Sequence, residues 1–297
     1  MGAIKLVITD LDNTIYNWVD FFVPSFNAMV KELSRLTGIN QDTLRASFKR
    51  VYQKHKTSEY AFAIEELDVL ADLDRGLSVR KRLKKYNSAV QAFRKMRHKT
   101  LRLYEGVTET LEQLHQDGRK IVGHSQAPMF YVITRLKQLK VEHFFDGVYA
   151  FRDYGIPIGT RPEDVRSHEA EYYQTVIPYV KQIDPAIAKP NAETLYDILR
   201  IFDTKPYEAL YLGDSLHRDI YMAQQCGVHD VYAEYGRFFN PEHYSQLVEI
   251  THWTEEDVAR ELQLKSLNIK PTYTITRFSD LIDIIQEIEA ATVKQTS

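Results

Sequence analysis

Ile4-Lys5-Leu6-Val7-Ile8-Thr9-Asp10-Leu11-Asp12-Asn13-Thr14 joins a short apolar run to two carboxylates two residues apart. A near-continuous apolar run of this kind reads as a strand buried in a parallel sheet. Such sheets carry their sites just beyond the carboxyl ends of the strands. Asp10 and Asp12, placed at the edge of a low-dielectric core, repel each other and require a cation or a shared proton. The stretch is therefore a candidate divalent-metal site that contains a nucleophile. The plainer alternative is a strand end whose Asp or Asn caps the next turn.

Further along, similar strand ends recur. Lys120-Ile121-Val122-Gly123-His124 reads as a strand, and Ser125-Gln126-Ala127-Pro128 follows it directly. A hydroxyl there, beside the N-terminus of the next helix, suits a phosphate oxygen or serves as an N-cap. His124 is expected to be a satisfied strand-end histidine. Ala209-Leu210-Tyr211-Leu212 is a second buried strand, and Gly213-Asp214-Ser215 turns a carboxylate toward the rim that holds Asp10. Asp219 falls on the first turn of the helix that Gly227 ends. There it ligates through water, holds the loop, or simply complements the helix dipole. Lys189, in Ala188-Lys189-Pro190-Asn191, precedes a helix bearing Leu195, Ile198, Leu199 and Phe202. It either neutralises phosphate charge or is an exposed loop lysine.

Between the first two strands, Tyr16 to Arg102 shows no convincing strand. Helical spacing places Phe22, Phe26, Met29, Val30, Leu33 and Leu36 on one face, with Gly38 as a C-terminal cap. Asn40 caps a second helix and Ser58 opens a third around Phe62, Ile64 and Leu67. A longer fourth runs from about Ser78 through Val79, Leu83, Tyr86, Val90, Phe93 and Arg97. Four such helices predict a small bundle with its own core. The fourth is strongly basic, from Arg80, Lys81 and Arg82 to Arg97, Lys99 and Arg102. It is either a surface that attracts a phosphorylated or otherwise anionic ligand or, the favoured reading, a solvated face balanced by the acidic stretch before it. Beyond His124, a helix at Phe130–Leu139 and a strand at Gly147–Phe151 continue the α/β alternation. The polar segment from Arg152 to Gln182 interrupts it, with Glu163 to Tyr179 helical in pattern. Long connections of this sort tend to be functional loops, lids or interfaces. Val228–Ala233 and Tyr273–Thr276 are strands and Ser279–Ile288 is a helix. Gly236 to Lys270 reads as an appendage with an acid-rich helix near Glu255.

The 297 residues carry 44% hydrophobic and 27% charged side chains and a formal net charge of −3, an ordinary globular composition that does not favour general nucleic-acid binding. Cys226 is the only cysteine, so neither an intrachain disulfide nor a Cys-rich zinc site is available. No stretch approaches the ~18 apolar residues of a membrane span, and a soluble cytoplasmic protein is expected.

Together these stretches resemble the haloacid dehalogenase superfamily of Mg²⁺-dependent phosphatases and phosphotransferases. Its Asp-x-Asp-x-Thr motif is similar to Asp10, Asp12 and Thr14; its second-motif hydroxyl to Ser125; its lysine motif to Lys189; and its last motif to Gly213-Asp214-Ser215 with Asp219. The resemblance implies an α/β fold, a Rossmann-like parallel sheet with flanking helices formed by 1–15 and 103–297. Residues 16–102 would be an inserted helical cap, and 152–182 and 236–270 insertions in the core. It implies that Asp10 attacks phosphorus and Asp12 is the acid and base. Mg²⁺ would sit on Asp10, Asp12 and Asp214, with Asp219 binding it directly or supporting the loop. Thr14, Ser125, Gln126 and Lys189 would contact phosphate, although Gln126 stands where the family commonly has Asn. An acid at Asp12 favours phosphoester cleavage over dehalogenation, because halide needs no proton on leaving. The expected substrate is a small organic phosphate such as a nucleotide or sugar phosphate, and the expected assembly is a monomer or homodimer. The competing readings are a phosphomutase and a catalytically idle scaffold of the same fold.

Overall fold

A computed structural model describes residues 3–156, 158, 160–165, 170–252 and 268–296. Its centre is a parallel sheet of β1 (Leu6–Thr9), β2 (Lys120–Pro128), β3 (Gly147–Phe151), β4 (Tyr179–Ile183), β5 (Ala209–Gly213), β6 (His229–Ala233) and β7 (Tyr273–Ile275). The strand order is β4-β3-β2-β1-β5-β6-β7, and every neighbouring pair is parallel. All four residues of β1 are buried, as expected of a strand covered on both faces. Successive side chains point to opposite faces. Leu6 and Ile8 therefore pack with Val122, Tyr211, Leu195 and Ile198, while Val7 joins Ile121, Leu111 and Leu114 on the other side. Each such side chain contributes roughly 1.5–3 kcal/mol by leaving water.

The order of the sheet locates the site. From β1 the chain builds β2, β3 and β4 outward on one side, then crosses back to lay β5, β6 and β7 on the other. The strand ends of β1, β2 and β5 thus flank a crevice at the point where the order reverses, the usual ligand position in open α/β sheets.

After β1 the chain turns away sharply. Asp10 N–H still donates to Leu212 O at 2.8 Å, extending the sheet by one bond, and Ile15 N–H closes back on Leu11 O at 3.0 Å. Asn13 takes the left-handed conformation, φ 60°, which Asn tolerates better than most residues. Its side-chain oxygen accepts from Trp18 N–H at 3.0 Å at the start of the first helix.

That helix, α1 (Trp18–Thr37), has Asn17 as N-cap and left-handed Gly38 at its end. α2 (Gln41–His55) follows, capped by Asn40. The helix expected after Ser58 is absent; two short 3₁₀ turns, Ile64–Glu66 and Asp68–Leu70, bury Ile64 and Leu70 instead. The expected long basic helix is two helices, α3 (Val79–Lys85) and α4 (Asn87–Thr100), separated at Tyr86, where ψ rises to 10°. Tyr86 is buried and donates to Asp74 at 2.8 Å, so satisfying that carboxylate outweighs helix continuity. α1 packs chiefly on α4, and an aromatic seam stacks Trp18 on Phe22 at 4.6 Å and sets Phe26 edge-on to Phe48 at 5.1 Å.

The remaining helices are α5 (Val107–Gln116), α6 (Met129–Leu139), α7 (Pro162–Val165), α8 (Ala192–Ile201), α9 (Tyr221–Gln225), α10 (Pro241–Ile250) and α11 (Leu281–Thr296). Two expectations change here. The polar segment 152–182 ends in β4, an edge strand whose alternating exposure hid it among its polar residues. The segment after Gly236 is no free appendage: α10 packs on α1 and α2, with Asn27 donating to Gln246 at 2.7 Å and His243 paired with Asp20 at 2.7 Å. The acid-rich stretch near Glu255 lies outside the described residues. Among the described residues no helix is long and apolar enough to cross a membrane.

Candidate active site

The ends of β1 and β5, with the loop before α8, bring together groups far apart in sequence. Oxygen atoms of Asp10, Asp214 and Asp219 all lie within 4.8 Å of one another. Lys189 reaches between two of them: its ammonium donates to Asp10 Oδ1 at 2.5 Å and to Asp219 Oδ1 at 2.9 Å. Thr14 Oγ1 donates to the other oxygen of Asp10 at 3.2 Å. The nucleophile candidate is thus held at both oxygens, one by a charge and one by a hydroxyl.

Asp219 departs from the expected helix turn. It lies in a π-helical turn, Leu216–Ile220, that precedes α9. Such widened turns are frequent at functional sites. The turn lets Asp219 fold back so that its second oxygen accepts from Ser215 N–H at 3.2 Å, tying down the loop that presents Asp214. Gly213 is required at the bend, because a Cβ there would collide with the Asp219 side chain.

Ser125 is placed differently from the N-cap expectation. β2 stays extended through Pro128, with a register shift against β3 after His124, so the hydroxyl projects from a strand rather than a helix end. It donates to Asp12 Oδ2 at 3.1 Å and accepts from Ala127 N–H at 3.0 Å. His124 is buried and paired with the Tyr211 hydroxyl at 3.0 Å, as expected of a satisfied strand-end histidine. Burial, aided by Lys189, holds it well below the ordinary histidine range and therefore neutral. The Gln126 side chain accepts from Arg218 at 3.3 Å across the β2 and β5 loops.

The electrostatics show what the site lacks. Asp10 is raised to about 7: burial drives it up, Lys189 pulls it down, and Asp219 and Asp12 push it up. Asp214 is held well above the usual carboxylate range, first by burial and then by Asp10 and Asp219. Burial works against the Lys189 charge, yet Asp10 and Asp219 hold it well above the ordinary lysine range. Fully ionised, these three carboxylates would carry more negative charge than one ammonium offsets, and that repulsion helps push Asp10 and Asp214 upward. The donors are all hard oxygens, without Cys or His among them. This set fits Mg²⁺, which prefers carboxylate and water oxygens, and does not fit a soft metal.

Two features escape a reading of the sequence. Arg135 of α6 is only 2% exposed, and it donates to Asp12 at 3.0 Å and pairs with Glu59 from the loop after α2. A charged residue among the buried Val132, Ile133 and Leu136 of α6 was the available signal; Glu59 offered none. Gly236 is the other. It sits just after β6, where a Cβ would strike the Asn13 carbonyl and come within 2.6 Å of the Asp214 Cβ. Its neighbour Tyr235 donates to Thr14 O at 2.7 Å. Gly236→Ala is expected to displace both loops, costing about 1–3 kcal/mol as an overpacked site does. A lower melting temperature would show it. The basic residues at the end of α4 lie elsewhere: Lys95 and Lys99, with Arg102 just after the helix, line a cavity of about 820 Å³ against Gln138 and Leu139 of α6.

Comparison with known proteins places the chain in a family. The family model "haloacid dehalogenase-like hydrolase" matches residues 4–227. The chain is 22% identical over 289 residues to a glyceraldehyde 3-phosphate phosphatase of Methanopyrus kandleri, covering 96% of this chain and 98% of the relative. It is 23% identical over 289 residues to the pyrophosphatase PpaX of Bacillus mycoides, again covering 96% and 98%. Among solved structures, a 2-haloacid dehalogenase from Pseudomonas syringae pv. Tomato superposes with a TM-score of 0.56 at 16% identity, covering 96% of this chain and 99% of that one. At this identity the superposition speaks for the fold alone. A family match over most of the chain is a stronger finding, and with it this protein belongs to the haloacid dehalogenase-like hydrolases.

Proposed function

We propose that the chain is a Mg²⁺-dependent phosphatase that hydrolyses a small organic phosphate monoester through a phosphorylated Asp10. The observation that carries this reading is the convergence of Asp10, Asp214 and Asp219 around Lys189, with Asp12 beside them at Ser125 and Arg135. Asp10, the Asp12 main-chain carbonyl and Asp214 would hold the ion, with Asp219 bracing the loop. Bound Mg²⁺ would supply a Lewis acid that screens the carboxylates from an anionic substrate.

The residues of the chain divide the remaining work. An Asp10 oxygen attacks phosphorus, the bond from phosphorus to the ester oxygen breaks, and its electron pair leaves with that oxygen. Asp12 gives the departing oxygen its proton, then takes a proton from the water that attacks the acyl phosphate and frees Asp10. Lys189, already donating to Asp10 and Asp219, would turn an N–H to a phosphoryl oxygen. Ser125 can swing its hydroxyl from Asp12 to the same group. Thr14 fixes the non-attacking oxygen of Asp10. Residues 16–102, built on α1 to α4, would act as a cap that closes over the substrate, with 1–15 and 103–297 as the core.

The relatives bear the names of a sugar-phosphate-sized substrate and of pyrophosphate, which supports a small phosphorylated compound. The lone cysteine, Cys226, is buried and outside any disulfide, which suits a reducing, cytoplasmic setting; a monomer or homodimer is proposed. Phosphate release from a panel of phosphate esters is expected with Mg²⁺ and lost with EDTA. Turnover that persists in EDTA would overturn the assignment.

A further inference from the structure

The geometry points to Arg135 as a positioning residue for Asp12, held in place by Glu59 so that the proton donor is aligned only when the loop after α2 is docked. This rests on the phosphatase reading and adds to it residues outside the motifs.

Arg135 is among the largest fully buried side chains of the protein, and a buried guanidinium demands partners. Those it has come from two different parts of the chain. Asp12 Oδ1, 3.0 Å from Nη1, belongs to the catalytic loop; Glu59 pairs with Nη2 from the α2 loop. The guanidinium also lies 5.0 Å from the Phe21 ring centroid and 5.7 Å from that of Tyr131, so aromatic faces clamp its plane. Ser125 takes the other Asp12 oxygen, at 3.1 Å. When the Ser125 hydroxyl turns from Asp12 to substrate, Arg135 on Oδ1 is the contact that still orients the carboxyl.

Two carboxylates share one guanidinium, so each affects how the other is held. Glu59 has a side chain 12% exposed, and its partner Arg135 is 2% exposed, so separating them strands a buried charge. Undocking the loop that carries Glu59 would leave Arg135 tethered by Asp12 and the rings alone, and free to shift. Docking restores the clamp at Asp12. Asp12 is expected to do its work when a leaving oxygen is basic, because a weakly basic oxygen departs without a proton.

The test compares kcat/KM for p-nitrophenyl phosphate and phenyl phosphate, two aryl esters of similar size whose leaving oxygens differ in basicity. Wild type, Arg135→Lys, Arg135→Met, Glu59→Gln and the double variant Glu59→Gln/Arg135→Met are measured, with melting temperatures to confirm folding. The double variant removes both buried charges and keeps the test open if Arg135→Met alone fails to fold. Arg135→Met or the double variant should lose about 100-fold on phenyl phosphate and about 10-fold or less on p-nitrophenyl phosphate, a misplaced general acid being worth that much. Arg135→Lys should recover part of the difference. Glu59→Gln should show the same bias toward the better leaving group, more weakly. Equal losses on both esters in folded variants would overturn the positioning role while leaving the phosphatase reading intact. No Mg²⁺-dependent release by wild type from either ester or the wider panel would instead refute that reading and this role with it.

Discussion

Asp10→Asn is expected to stop phosphate release almost completely, by about 10⁴-fold or more, the scale seen when an enzyme's nucleophile is deleted. An amide cannot form the acyl phosphate, but it can keep the local contacts. Its carbonyl oxygen can still accept from Lys189, which in the wild type donates to Asp10 at 2.5 Å, or from Thr14. The substitution also removes one of several crowded carboxylates that burial already disfavours. The variant should therefore remain folded and melt no lower than wild type in the absence of Mg²⁺. Activity within tenfold of wild type, in a folded variant, would place the nucleophile elsewhere.

Lys189→Met should have the second largest effect, and one that depends on pH. Lys189 is 7% exposed and is the single ammonium between Asp10 and Asp219. Stripping one partner from a buried ion pair costs about 3–5 kcal/mol. The direction of the pH dependence follows from Asp10, whose carboxyl is raised from 3.8 to about 7 by burial, against the pull of Lys189. Between those values the folded protein keeps a proton that the unfolded chain releases. The stability associated with Asp10 is thus full below the unfolded value and is lost as pH rises through the folded one. Without Lys189 the folded value rises further and the loss deepens. Melting temperature should fall more steeply from pH 5 to pH 8 in Lys189→Met than in wild type, and Mg²⁺ should restore part of it. Turnover should drop by about 10²–10³, as for a lost preorganised donor. A stability loss that is the same at both pH values would contradict this electrostatic account.

The central strands could be read from the sequence because burial on both faces removes polar positions: every residue of β1 and β5 is buried. β4 could not, since only every second residue of Tyr179–Ile183 turns inward and the strand sits at the sheet edge beside a polar segment. Apolar spacing near Phe62, Ile64 and Leu67 mimicked a helix, though these side chains are buried around two short 3₁₀ turns instead. The carboxylates and Lys189 stood out because each lies at a strand end or before a helix, where topology gathers them. Arg135 and Glu59 had no such marker. Their pairing arises only when α6 and the α2 loop meet, and tertiary contact of that kind leaves little trace in local pattern. Gly236 is a similar case, dictated by the approach of Asn13 and Asp214 from other loops.

The central claim is that Asp10 carries the phosphoryl group during turnover. A single turnover in heavy-oxygen water, followed by peptide mass analysis, tests it most directly. Under the proposed mechanism water attacks phosphorus, so the heavy oxygen appears in the released phosphate, and an acid-quenched sample shows one phosphoryl group on the peptide containing Asp10. A quenched enzyme whose Asp10 peptide never carries phosphate under rapid turnover, or whose phosphate is found on another residue, would contradict it.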